Sequence, residues 1–249
     1  GAERTDLFVL RQCSEKEEAM NLDTKLEGAQ REAVSHFCGP MMVLAGPGSG
    51  KTFTITRRIH YLISEYGVNP SNILVITFTK AAAEEMKERF EALCEGQPVY
   101  VSFGTFHGIF FRILKLAYGF DGGNIVREEQ RVQLIRELVE RKRLEVEDES
   151  EFIQSILSEI SAVKGEQINL DHYYSQNSPE EVFKYLYRGY EEGLRRAGLI
   201  DFDDMLVMCY ELFVERKDIL SAWQKKYQFI LVDEFQDINR IQYEIVRML

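Results

Sequence analysis

The sequence predicts an α/β protein with a parallel, doubly wound sheet and an all-helical insertion. Three observations predict it. Strand-like and helix-like segments alternate from Leu26 to Tyr118. The Gly-rich run AGPGSGKT, Ala45 to Thr52, falls between a buried strand and a helix. A late apolar strand, Phe229 to Val232, ends in the acidic pair Asp233-Glu234. Strand-then-helix alternation is the signature of parallel sheets, because a crossover helix must carry the chain back between parallel strands.

Taken in order, residues 1–25 are polar and weakly patterned and are expected to be an N-terminal arm or an engineered extension. LEGAQREAVSHF, Leu26 to Phe37, reads as a short amphipathic helix. Met41 to Leu44 is a buried strand that runs into the Gly-rich loop. From Lys51 to Tyr66 the apolar residues Ile55, Ile59, Leu62 and Ile63 share one helical face. Asn69-Pro70-Ser71 is a turn. Ile73 to Phe78 is a second strand, rich in β-branched residues. Ala81 to Leu93 is a helix of strong formers. Val99 to Phe103 is a third strand, and Thr105 to Tyr118 another helix. From Gly119 to Ala197 the pattern changes to charged helices over 128–141, 151–163 and 179–197. After Gly198, Asp201 to Glu215 is helical and Gln228 to Val232 is a fourth strand. The expected organisation is an α/β first part over 26–115, a helical insertion over 116–197, and a returning α/β part over 198–249.

Composition bounds the function. With 249 residues, the chain suits one large domain or two modest ones. It is 45% hydrophobic and 29% charged, and no apolar run approaches the roughly 20 residues of a membrane span. The start, GAERTDLFVLRQ, has no secretory pattern and no initiator Met, which suggests a processed or engineered end. Cys13, Cys38, Cys94 and Cys209 lack metal-ligand spacing and are expected to be reduced thiols of a cytoplasmic protein. A net charge of −11 is unlike a nucleic-acid binder, whose phosphate contacts normally show as a basic patch. Either DNA is no partner, or its path is a narrow basic and aromatic track on an acidic body.

The chemistry lies in the two motifs. A strand, a Gly-rich loop and a helix N-terminus present backbone N–H groups to phosphate oxygens. Ala45, Gly46, Gly48, Ser49 and Gly50 shape this cradle, with small residues allowing close backbone approach. Lys51 reaches the β and γ phosphates, and the Thr52 hydroxyl suits Mg²⁺. Ligands of parallel sheets bind at the strands' carboxyl ends, where Asp233 and Glu234 stand. Asp233 suits the magnesium shell, and Glu234 suits activation of the attacking water. The alternative reading, two solvated acids opening a helix, is weakened by the phosphate loop. Asp201, Asp203 and Asp204 invite a metal reading, but an N-cap and an acidic first turn explain them better.

Six ordered blocks resemble the amino-terminal part of the UvrD/Rep/PcrA-type superfamily 1 DNA helicases: LEGAQREAV, AGPGSGKT, ITFTKAAAEEMKERF, GTFHGIFFRIL, IDFDDML and ILVDEFQDINRIQY. The resemblance implies a RecA-like P-loop NTPase sheet, with 116–197 similar to the family's 1B insertion in domain 1A. It implies ATP and Mg²⁺ as cofactors and single-stranded DNA as partner. It assigns Gln30 to adenine reading and Gln236 to the neighbourhood of the γ-phosphate. Phe78, Thr79 and Lys80 resemble one DNA-contacting motif, and Thr105, Phe106 and His107 another. Two departures stand out. The family commonly has Asn at the position of Lys80 and Arg at that of Phe53, so Phe53 could stack on the base without the cation. The family's second RecA-like domain, with its arginine fingers, would lie beyond Leu249. The expectation is therefore the ATP-binding domain of a DNA helicase or translocase, moving 3′ to 5′ and weak or inactive as this piece alone. The alternatives are the helicase subunit of a helicase–nuclease complex and a non-motor nucleotide-binding interaction module.

Overall fold

The computed structural model describes residues 5–10 (backbone only), 26–46, 48–94 and 98–249. The chain divides into two compact units. One comprises Gly1–Ile109, Glu215–Ile238 and Val246–Leu249, and the other Phe110–Val214 and Asn239–Ile245.

The first unit is built on a five-stranded sheet. Its strands are β1 (Thr5–Leu10), β2 (Met41–Ala45), β3 (Ile73–Thr77), β4 (Ser102–Thr105) and β5 (Phe229–Val232), in spatial order β2-β1-β5-β3-β4. β3 pairs in parallel with β4 and with β5, so that Val75 lies opposite both Phe103 and Leu231. β1 pairs antiparallel with β2 and with β5, which makes β2 and β5 parallel to each other. The expected α/β class and parallel arrangement are therefore present, with one correction. Part of the expected arm, Thr5–Leu10, is a strand inside the sheet. An apolar run as short as Leu7 to Leu10 has no decisive period. Its place is fixed by long-range pairing, which leaves no local mark in the sequence. β4 also begins later than the expected Val99.

Every residue of β3 and β5 is buried, as suits the interior strands of this mixed sheet. Helix α1 (Gly28–Ser35) precedes β2, and α2 (Lys51–Ser64) follows it. α2 buries Ile55, Ile59 and Leu62 against Val75, Phe229 and Leu231. Helix α3 (Lys80–Leu93) adds Met86 and Phe90 to the same core. Each such side chain contributes roughly 1.5–3 kcal/mol on burial. Helix α4 (Phe106–Tyr118) begins in this unit and passes into the second.

The second unit contains α5 (Glu128–Lys142), α6 (Glu149–Gly165), α7 (Glu180–Ala197) and most of α8 (Phe202–Glu215). It extends beyond the expected 116–197 on both sides, because α4 from Phe110 and α8 to Val214 belong to its contacts. Ile135, Leu138, Ile153, Ile160, Phe183 and Leu186 form its core. α5 and α7 approach closely at two glycines. A Cβ on Gly189 would come within 2.6 Å of Leu138, and one on Gly193 within 2.6 Å of Leu134. Asp201 accepts a hydrogen bond from the Asp204 amide at 2.7 Å, so the acidic IDFDDM segment does cap α8. Asp201 also meets Lys164 at 2.9 Å and accepts from the Tyr190 hydroxyl at 3.0 Å. Lys164, itself buried, pairs with Asp204 and Glu191 too, at 2.6 Å each. Burial, followed by the neighbouring Asp201, pushes the Asp204 carboxyl up to about 6.

Helices α9 (Lys217–Lys226) and α10 (Arg240–Met248) complete the fold. Cys38 is disulfide-bonded, against the expectation of reduced thiols, whereas Cys94 and Cys209 are free.

One buried cation fixes how α1 meets α2. Arg58, fully buried in α2, donates through Nη1 to the carbonyls of Ala33 at 2.8 Å and of His36, at the end of α1. Those carbonyls have no partner within the helix, so the guanidinium serves as a C-terminal cap. Burial lowers its pKa to about 10, still charged at neutral pH. Arg58→Ala should therefore destabilise the protein by about 3 kcal/mol, since charge-assisted bonds to buried carbonyls are lost. The check is a urea melt, with a lowered midpoint at unchanged slope expected.

Candidate functional site

The site is assembled at the carboxyl edge of the sheet in the first unit. β2 leads into the Gly-rich loop, where the Ser49 amide donates to the Gly46 carbonyl at 3.2 Å. Gly48 and Gly50 have φ of 77° and 78°, the left-handed region that costs a residue with a Cβ roughly 1–2 kcal/mol. The Thr54 amide then donates to the Gly50 carbonyl at 2.8 Å and starts α2. Lys51 and Thr52 thus occupy the first turn of α2, where unpaired amides and the positive end of the helix favour an anion.

β5 delivers the acidic pair to the same place. The Asp233 amide donates to the Ile76 carbonyl at 2.9 Å and extends the β3–β5 ladder by one residue. Glu234 then turns with φ 53° and ψ 43°, left-handed backbone that is uncommon outside glycine. The turn brings its carboxylate to Lys51, with Nζ to Oε1 at 3.3 Å. Gln236 donates to the other Glu234 oxygen at 2.9 Å and to Asp237 at 3.1 Å. Burial, then the charge of Glu234, raises the Asp233 carboxyl above its ordinary value, with Lys51 acting the other way. Two carboxylates beside a hydroxyl-bearing helix turn are hard oxygen donors of the kind Mg²⁺ prefers.

Gln30 connects the first helix to the loop. Its Oε1 accepts from the Glu27 amide at 3.1 Å, closing the cap of α1, and its Nε2 donates to the Ser49 carbonyl at 3.1 Å. Gln30, Ala45, Gly46, Ser49 and Lys51 line a common cavity of about 260 Å³. Gly48, Gly50, Thr52 and Phe53 are absent from its lining, as are Asp233 and Glu234. Phe53 packs instead against Leu26, Val34 and Tyr61. The Arg57 guanidinium lies 5.2 Å from the centroid of the Phe53 ring, within cation–π range. The signal was available as an aromatic and an arginine at i and i+4 on one helix.

The two other candidate segments stand at the same sheet edge. Thr77 and Thr105 are paired across β3 and β4, so the residues that follow them emerge side by side. Phe78 is 39% exposed, and its ring meets the buried Phe106 edge-on at 6.2 Å. Phe106 therefore supports Phe78 and offers no face of its own, a correction to its expected contact role. Thr79 caps α3 by accepting from the Ala82 amide at 3.1 Å. Thr105 accepts from the Gly108 amide at 3.2 Å, and His107 is half-buried in the first turn of α4. Lys80 is exposed and within 3.7 Å of Glu84.

A Gly-rich loop opening a helix, with its lysine against an acidic pair at the end of a neighbouring parallel strand, defines a P-loop nucleotide-binding protein of the α/β class. More narrowly, the chain belongs to the UvrD/REP helicase N-terminal domain family, whose model matches residues 26–249. It is 38% identical over 226 residues to YjcD of Bacillus subtilis, covering 88% of this chain and 30% of that protein. To DNA helicase II of Escherichia coli it is 35% identical over 231 residues, covering 90% and 32%. To the ATP-dependent DNA helicase PcrA of Staphylococcus aureus it is 34% identical over 232 residues, covering 88% and 31%. The chain thus spans just under a third of the length of these relatives. No helix among the described residues is long and apolar enough to cross a membrane.

The left-handed Gly50 gives a direct test of the loop. Its Cβ would also come within 3.4 Å of Gln30 Nε2. Gly50→Val should weaken binding of a fluorescent ATP analogue about tenfold or more, as a strained loop withdraws its amides from phosphate. Fluorescence titration reads the affinity, and unchanged affinity would contradict the assigned cradle.

Proposed function

We propose that this chain is the first ATP-binding domain of a DNA motor, coupling ATP hydrolysis to movement on single-stranded DNA. The observation that carries the reading is the 3.3 Å pair between Lys51 and Glu234, which joins the loop to the end of β5. The relatives named DNA helicase II and PcrA support it at the level of the whole protein.

In this reading ATP enters with its phosphates on the loop amides and the N-terminus of α2. Lys51 then leaves Glu234 for the β and γ phosphates. The exchange frees the Glu234 carboxylate to orient water on the γ-phosphorus and accept its proton. Gln236, already bonded to Glu234, holds that carboxylate in position. Magnesium held by Thr52 and Asp233 would neutralise phosphate charge during the transfer. Gln30 reads adenine by exchanging its present partners for the base, while Phe53, packed on Leu26, Val34 and Tyr61, buttresses the α1–α2 side of the cavity. Phe78, Thr79, Lys80, Thr105 and His107 take the single strand, by stacking and phosphate contact. Arginines from a second domain of the same polypeptide complete the cleft, and this piece alone hydrolyses ATP slowly. Translocation runs 3′ to 5′.

The test is Glu234→Gln in the complete protein that carries this chain. DNA-stimulated ATP hydrolysis should fall by about 10²–10⁴, the usual contribution of a positioned general base. Nucleotide binding should be retained. Full stimulated hydrolysis in the variant would remove Glu234 from the chemistry.

A further inference from the structure

The helical unit carries a groove that the nucleotide chemistry does not use. It lies between the α5–α6 connection and the segment leading into α7, and encloses about 500 Å³. Its apolar lining is Leu144, Val146, Phe152 and Val182, all half-buried. Leu144, Phe152 and Val182 rest on the unit's core, so this floor is fixed by packing. The opposite wall is also held. Glu159, buried in α6, accepts from the amides of Gln176 at 3.2 Å and Asn177 at 3.1 Å, and from the Tyr173 hydroxyl at 3.0 Å.

The rim has one sign. Between Arg143 and Lys164 the sequence contains six acidic residues and no basic one, and none of residues 173–183 is basic. Of the acids in that stretch, Asp148 lines the groove and caps α6, Glu149 pairs with Arg136 at 2.9 Å, and Glu159 lies behind the wall, bonded to Asn177. Glu145, Glu147 and Glu151 line the groove with no ion-pair partner among the described residues. A phosphate backbone would be repelled here.

We propose that this groove docks a basic-and-apolar peptide segment of a partner protein. Alternating aliphatic and Arg or Lys side chains would place the aliphatic ones on the Leu144–Phe152–Val182 floor. The cations would meet Glu145, Glu147 and Glu151. A fixed apolar floor with an unneutralised acidic rim favours this occupant over a nucleic acid and over an uncharged peptide.

The probe is an acetylated, amidated dodecapeptide of alternating Arg and Leu, titrated into the isotopically labelled chain and followed by backbone amide shifts. The control carries Glu in place of Arg. The expected result is saturable shifts confined to residues 144–155 and 173–182, for the Arg peptide only. The double variant Glu145→Lys/Glu147→Lys should weaken that binding about tenfold, as two rim contacts become repulsions. Both substitutions lie in an exposed connection, and an unchanged thermal melt would confirm that the fold is kept. Equal binding of the Glu peptide, shifts spread elsewhere on the acidic surface, no effect of charge reversal, or no binding at millimolar peptide would each overturn the proposal.

Discussion

The account depends on one ion pair, Lys51 with Glu234, formed by residues 183 apart in sequence. It requires that β2 and β5 run in the same direction and end at the same edge of the sheet. It requires that the loop after β2 turn sharply enough to start a helix with Lys51 in its first turn. It also requires Glu234 to hold a left-handed backbone conformation, which only surrounding structure can impose. The pair itself is partly exposed, 23% for Lys51 and 35% for Glu234, so it adds little to stability. That weakness suits exchange. A strongly buried pair would resist an incoming phosphate, whereas a partly exposed one can trade a carboxylate for a ligand, as the proposed function requires.

Much of this was legible because it is local. The strand, the Gly-rich run and the helical spacing of Ile55, Ile59 and Leu62 each carry a period or a turn signature in a few residues. The acidic pair after Phe229–Val232 was readable for the same reason, and Asp201 as a cap followed from helix-end chemistry. What was not legible depends on distance. Thr5–Leu10 has no distinctive pattern, and only its pairing with β2 and β5 makes it a strand. Phe106 looked like an available aromatic, but it is buried with its ring edge-on to Phe78, a contact between residues 28 apart that leaves no local mark. Arg57 over Phe53 was within reach of helical spacing, yet the direction of an arginine side chain is set by what its neighbours leave open. The disulfide at Cys38 had no spacing signature at all.

Charge shows how a whole-chain quantity can mislead. The surplus of −11 argues against phosphate partners when averaged over the surface. In the helical unit Glu145, Glu147 and Glu151 line a groove with no ion-pair partner among the described residues. At the sheet edge, Lys51 and Lys80 stand beside backbone amides and an exposed phenyl ring. In the proposed function, phosphate recognition there would draw on oriented N–H groups and a helix terminus more than on net charge. An acidic protein can therefore hold nucleotide at one edge and present a repulsive face elsewhere.

The most direct measurement is calorimetric titration of magnesium–ATP onto this chain and onto Lys51→Ala. The account predicts one nucleotide per chain and a loss of about tenfold or more in affinity when the Lys51 ammonium is removed, with the unfolding midpoint unchanged. Equal affinity in the two proteins would contradict the assignment of this loop as the phosphate site.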